Sequence, residues 1–207
     1  MGTESKIEHY HGAGEAPNIN VVNRYGAPVR SLYATRNVLS VGQEITITDD
    51  DNNTVYRSVS KPVSVLDKTE ITDGTGKPIA HFNRKKYSLR ERHILTMENG
   101  MEILLEKEVM HIVREVTNIT ELTNTKELSW QIRGSKQRLN FEILDSDKRA
   151  VAIVSQKVIS KHEKYCIDIY DADAVDIICS VMIILMHIIR DRNLVSSRKI
   201  IKITKRF

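Results

Sequence analysis

Several short stretches of this chain put residues of the right type close enough together to suggest chemistry. In "DDDNN", residues 49–53, Asp49, Asp51 and Asn53 occupy positions 1, 3 and 5 of a calcium loop. Position 6 is Thr54 where such a loop needs glycine, and position 12 is Ser60 where it needs a bidentate glutamate. "YDADAVD" fails in the same way, because Val175 stands at its fifth position. "HYHG", residues 9–12, offers two imidazoles but no further ligand, and His81, His93, His111, His162 and His187 share no spacing. "GTGK" lacks the length of a phosphate-binding loop, no third glycine completes a dinucleotide fingerprint, and no nucleophile elbow occurs. "MGTESK" carries Lys6 where N-myristoylation needs Ser or Thr. The chain is therefore expected to be non-enzymatic, with no catalytic residue, metal ligand, cofactor or small-molecule substrate.

The remaining chemistry is cationic. Lys61, Lys157 and Lys161, together with Arg84, Lys85 and Lys86 of "NRKKY", fall at equivalent places in a recurring connector, where the ordinary role of a base is solvation. The connectors "RNVLSVGQE", "KPVSVLDKT", "KKYSLRERH" and "QKVISKHEK" share a base, apolar residues and then Ser40, Ser64, Ser88 or Ser160. If they lie at one end of the fold, their bases form a ring there. The second set is the tail: from Arg190 onward seven bases stand against Asp191 alone, a net +6 in a chain of net +4. On a helical wheel Arg198, Lys199, Lys202, Lys205 and Arg206 share one side of that tail. Ile200, Ile201, Ile203, Thr204 and Phe207 share the other, as in a helix lying on an anionic membrane surface. The isoleucines equally suit a short strand, or the segment is a frayed terminus. One tryptophan, Trp130, and 5% aromatics give no stacking platform for single-stranded nucleic acid.

The elements that must carry these bases are hairpins. "EITITDDDNNTVYRSV", "KTEITDGTGKPIAHF", "HILTMENGMEILLEK" and "LNFEILDSDKRAVAIVS" each set two alternating runs about a polar turn. Turn centres near residues 51, 74, 99 and 146 leave room for one more unit, for which Arg133-Gly134-Ser135 marks a turn. Asp73-Gly74 and Asn99-Gly100 are expected to be hairpin tips with positive φ at the glycines.

After the hairpins comes "DAVDIICSVMIILMHIIRDR". Its apolar run, Ile177 to Ile189, holds 13 residues, about 20 Å of helix, against a bilayer core of about 30 Å. Asp171, Asp173 and Asp176 before it and Arg190 and Arg192 after it complement the helix dipole. A helix apolar all round must be enclosed, so the favoured reading is a helix wrapped by protein, with a membrane span as the alternative. Ile177, Val181, Ile184, Leu185 and Ile188 are expected to be its buried face. A closed sheet around one helix supplies that enclosure and removes exposed strand edges. Cys166 and Cys179 are the only cysteines, and the second lies within this helix. A disulfide framework is therefore not expected, and a reducing, cytoplasmic setting is. No apolar leader is seen at the N-terminus, and the sequons at Asn52 and Asn118 carry little weight.

The ordered set "YATRNVLSVGQEITITDDDNNTVYRS", "EITDGTGKPIAHFNRKKYSL" and "SWQIRGSKQRLNFEILDSDKRAVAIVSQKVISKHEKYCIDIYDADAVDIICSVMIIL" resembles the LURP-one-related family. That family belongs to the tubby C-terminal-like superfamily, which includes phospholipid scramblases. The resemblance covers about Val29 to Arg190 and implies a closed antiparallel β-barrel of twelve strands around a hydrophobic C-terminal helix. Met186-His187 departs from it, since family helices often carry an acid late in the run. The implied organisation is a flexible lead-in over 1–28, a barrel over 29–193 and a basic tail over 194–207. Tubby domains bind phosphoinositides through surface Lys and Arg. The implied function is thus an interaction module for an anionic phospholipid surface or a protein partner, cytoplasmic and peripheral at membranes. A scramblase-like membrane protein using the apolar helix is the rival, and a nucleic-acid-associated regulator acting through the tail is the third reading.

Overall fold

A computed structural model describes residues 26–36, 44–59, 69–84, 92–107, 116–123, 128–135, 140–157 and 164–188. Within them run twelve strands: β1 (Arg30–Arg36), β2 (Ile45–Thr48), β3 (Thr54–Val59), β4 (Thr69–Asp73), β5 (Pro78–Arg84) and β6 (Arg92–Met97), then β7 (Glu102–Lys107), β8 (Val116–Glu121), β9 (Ser129–Ser135), β10 (Asn140–Leu144), β11 (Ala150–Lys157) and β12 (Lys164–Ile169). Each pairs antiparallel with its sequence neighbours, and β1 closes the barrel on β12 with Arg30 opposite Ile169 and Thr35 opposite Lys164. Closure leaves none of these twelve strands with an open edge.

Alternation decides which face looks inward. β6 buries His93, Leu95 and Met97 and β8 buries Thr117, Ile119 and Glu121, while the residues between them are more exposed. β11 departs from this pattern, with Ala150 to Val154 all buried. Ala152 and Val154 join the main core, whereas Ile153 packs with Leu144, Ala150 and the half-buried Tyr170 in a small second cluster.

Four of the tight turns use one five-residue device. Asp49–Asn53, Asp73–Lys77, Met97–Met101 and Asp145–Arg149 each close with the first residue's N–H donating to the fifth residue's carbonyl. In each the fourth residue's N–H returns to the first carbonyl. That fourth residue has positive φ every time: Asn52 (62°), Gly76 (90°), Gly100 (86°) and Lys148 (65°). The geometry is a type I turn followed by a left-handed residue, which suits the twist of the strands. The expectation for Gly100 therefore stands, and the one for Gly74 is corrected. Gly74 is the second residue of its turn, and the positive φ falls on Gly76. Glycine is still required at 74, because a Cβ there would lie 2.1 Å from the Thr54 carbonyl oxygen. Asp73 stabilises its turn by accepting from Thr75 Oγ1 (2.7 Å), Thr75 N (2.9 Å) and Lys77 N (3.0 Å), and these hydrogen bonds hold its carboxyl below the usual aspartate range. The reading of Arg133-Gly134-Ser135 as a turn is also corrected. The three residues end β9, and the corresponding turn lies between β8 and β9.

The helix follows β12. Asp171 caps a single 3-10 turn, Ala172–Ala174, by accepting from Asp173 N at 3.0 Å. The α-helix α1 then runs over 175–188. Every residue from Ile178 to His187 is buried. Val181, Ile184 and Leu185 are among them, while Ile177 and Ile188, at its two ends, are partly buried against the same core. No described helix is long and apolar enough to cross a membrane.

Candidate functional site

An up-and-down barrel sends alternate connections to opposite ends. The tight turns, the β8–β9 connection and the start of α1 share one rim. The segments leaving β1, β3, β5, β7, β9 and β11 begin and end at the other. Charge divides between the two. Counted from strand end to strand start, the six connecting segments hold fifteen Lys and Arg against six Asp and Glu, a net +9. The turn rim, taken with Arg30 and the chain through Asp176, holds thirteen acids against five bases, a net −8.

Arg84 is the last residue of β5 and Lys157 the last of β11, so their backbones reach the basic rim; their side chains are not among those described. Lys61, Lys85, Lys86 and Lys161 belong to connecting segments outside the described residues, and so do Arg198, Lys199, Lys202, Lys205 and Arg206. The structure adds three bases at this rim that were not singled out from the sequence. Arg92 Nε donates to Glu106 Oε1 at 2.7 Å, a part-buried ion pair in which the carboxylate offsets the Arg92 charge locally. Lys107 ends β7, and the Lys164 ammonium sits 4.4 Å above the Tyr33 ring. Each directly flanks a connector, which is the signal that could have found them.

Under the basic rim the barrel interior turns polar. Ser58, Thr69, His93 and Thr117 are buried there, Thr69 as the first residue of β4 and the others one residue from a strand end. His187 near the end of α1 meets Ser58, with Nε2 and Oγ 3.0 Å apart. The other end of the helix is tied to the same strand, since the Tyr56 hydroxyl donates to Asp176 Oδ1 at 2.5 Å. Burial, reinforced by that carboxylate, pushes the Tyr56 phenol well above its ordinary range, so it stays protonated and donating. Thus β3 holds α1 at both ends, and α1 travels from the acidic rim to the basic one. Residue 189 onward leaves from the basic rim, whereas the chain before β1 joins at the acidic rim, where Val29 N donates to the Ile169 carbonyl at 2.8 Å.

Ser58 and His187 have the types of a nucleophile and its base, and both are buried, 1% and 7% exposed. Burial likewise pushes the Cys179 thiol far above its usual range, which makes it a packing group. Among the described residues no three His, Cys, Asp or Glu side chains group to hold a metal ion. Ser180 is fully buried in α1 and its Oγ has no hydrogen-bond partner among the described residues. Ser180→Ala is therefore expected to raise stability by about 1 kcal/mol, the cost of an unsatisfied buried hydroxyl. Thermal unfolding checks this, and a loss of stability would mean that the hydroxyl is satisfied.

The architecture defines a closed twelve-stranded barrel filled by one buried helix, with oppositely charged rims. A family description, LURP-one-related, matches residues 30–187, from the first strand to the end of the helix, and the chain belongs to that family. It is 23% identical over 159 residues to "Uncharacterized protein YxjI" of Bacillus subtilis (strain 168), covering 76% of this chain and 92% of that one. It also resembles the X-ray structure of a protein from Arabidopsis thaliana, AT5G01750, at 16% identity and a TM-score of 0.45, covering 78% of this chain and 94% of that one.

Proposed function

We propose that the barrel is a non-enzymatic interaction module that binds anionic phospholipid surfaces, acting in the cytoplasm as a peripheral protein. The observation that carries this reading is the gathering of net positive charge on one rim by the topology, with the basic tail starting from the same rim. Each Lys or Arg near an anionic leaflet contributes on the order of 1 kcal/mol, so a cluster binds where single bases do not. A binding role rather than a catalytic one is supported by the barrel lumen, which is filled by the side chains of residues 178–187. The enclosed helix also favours surface attachment over insertion.

The test is sedimentation of the full chain with vesicles containing phosphatidylserine or a phosphoinositide, against pure phosphatidylcholine. Binding is expected only with the acidic lipids and should collapse as salt rises, because the screening length shrinks below about 10 Å. Changing Arg198, Lys199, Lys202, Lys205 and Arg206 together to Gln should weaken it roughly tenfold or more. Equal binding to neutral vesicles, or indifference to salt, would remove the lipid reading. Retention on membranes through an alkaline carbonate wash would favour the scramblase-like alternative.

A further inference from the structure

Independently of the lipid reading, we propose that the turn rim is a docking site for a basic polypeptide, one of whose lysine or arginine side chains pairs with Glu121. The described residues of that rim hold twelve Asp and Glu against four Lys and Arg, a net −8. Most of these carboxylates are exposed, and some, such as Asp73 and Asp145, are engaged by their own turns. Exposed ion pairs contribute little, so the rim charge draws cations in without holding any one of them. Glu121 is different. It ends β8 on the inner face, following Thr117 and Ile119, and is 6% exposed. Its Oε2 is buried and has no hydrogen-bond partner among the described residues. A carboxylate removed from water and left unpaired is costly, and an arriving cation relieves that cost without breaking a bond to Oε2.

The surroundings set the class of cation. Ile103 lies opposite Glu121 on β7, and Glu121 N donates to the Leu128 carbonyl at 3.1 Å. Trp130 is opposite Ile119, two residues earlier on the same inner face. It is thus a diagonal neighbour of Glu121, roughly 7–8 Å away and within reach of a large side chain. Ile103, Leu128 and Trp130 are buried, and Met97 and Met101 belong to the same core. This lining suits one charge on an alkyl stem: the stem packs, the indole attracts the cation, and the thioethers adapt to its shape. A bare metal ion is a poor match, since the rim acids form no metal-binding group among the described residues. Leu122, 42% exposed, follows Glu121 directly and offers the partner an apolar contact at the mouth. The other acids are spread around the end of a twelve-stranded barrel, which matches a segment carrying several bases better than a lone amine.

Trp130 is the only tryptophan of the chain, so its emission reports on this site in the full-length protein. The probes are tetralysine, n-butylamine and tetraglutamate. Tetralysine is expected to change the emission saturably, and tetraglutamate is not. Glu121→Gln, which keeps the side-chain shape, should weaken tetralysine by about tenfold or more, whereas Asp51→Asn at an exposed turn should weaken it by less than about twofold. Equal weakening by the two variants, or no saturable change with tetralysine, overturns the site. Butylamine binding as tightly as tetralysine assigns a small amine and overturns the polypeptide partner. If Glu121→Gln does not fold, amide exchange of the wild-type protein decides: protection by tetralysine at 121–123 and 128–130 supports the site, and protection elsewhere on the rim, or none, overturns it.

Discussion

Ile184→Ala is expected to lower the stability of the protein by about 2–5 kcal/mol, or roughly 5–15 °C in melting temperature for a domain of this size. Ile184 is fully buried at the middle of α1, in a stretch where the residues on both sides, Val181, Met182, Ile183, Leu185 and Met186, are buried as well. A helix enclosed all round has no solvent side toward which a truncated side chain's neighbours can relax. The wall facing it is a hydrogen-bonded barrel closed through β1 and β12, so collapse around the lost atoms is limited. The partly buried Ile177 is the internal comparison, because water already reaches it and less cavity follows its removal. Ile177→Ala should cost clearly less than Ile184→Ala in the same thermal and denaturant unfolding experiments. Equal costs, or an unchanged Ile184→Ala melting curve, would show that the helix is not enclosed.

The enclosure itself was legible in the sequence, because a 13-residue apolar run between acids and arginines is too short for a bilayer and too apolar for a surface. The hairpins were legible for the same kind of reason: their turn chemistry is local, and the Asp and Asn side chains that receive turn N–H groups sit within four residues of the donors. What joins the helix to the wall was not legible. Tyr56 and Asp176 are 120 residues apart and Ser58 and His187 are 129 apart, and no periodicity records such pairs. The left-handed position in the Asp73–Lys77 turn was assigned to the wrong glycine, because the sequence offers two and only the five-residue hydrogen-bond pattern selects Gly76. The candidate site was half legible. Recurring bases between hairpins are a sequence pattern, but their collection at one rim follows from the parity of strand order, which the barrel supplies. Lys107 fell outside the repeat because it closes a hairpin strand, and Arg92 lay in the quoted connector but away from its recurring basic position.

Gly134→Val should be among the most damaging single changes outside the helix, costing about 3 kcal/mol or more. Arg133-Gly134-Ser135 has the composition of a turn, yet Gly134 sits in β9 opposite Phe141 of β10. Two constraints meet at this position. Its φ is +119°, a region that residues with a Cβ rarely adopt and a β-branched one tolerates worst. A Cβ there would also lie 2.7 Å from the Asn140 carbonyl oxygen and 2.9 Å from Phe141 Cα. Both atoms are backbone of the paired strand, so no side-chain rotation relieves the clash, and relief requires β9 and β10 to separate. Phe141 is 1% exposed and belongs to the main core, so moving its backbone disturbs packing against the helix as well. Gly100 provides the control: its φ is +86° but a Cβ would meet nothing within 4 Å. Gly100→Ala should therefore cost only the left-handed penalty of about 1–2 kcal/mol. Gly134→Ala, which adds the same single carbon, should cost at least about 1 kcal/mol more than that, because the backbone clash adds to a φ still further from the left-handed region. Chemical denaturation of the two alanine variants side by side measures the gap. Equal midpoints would mean that β9 and β10 do not pair in this register.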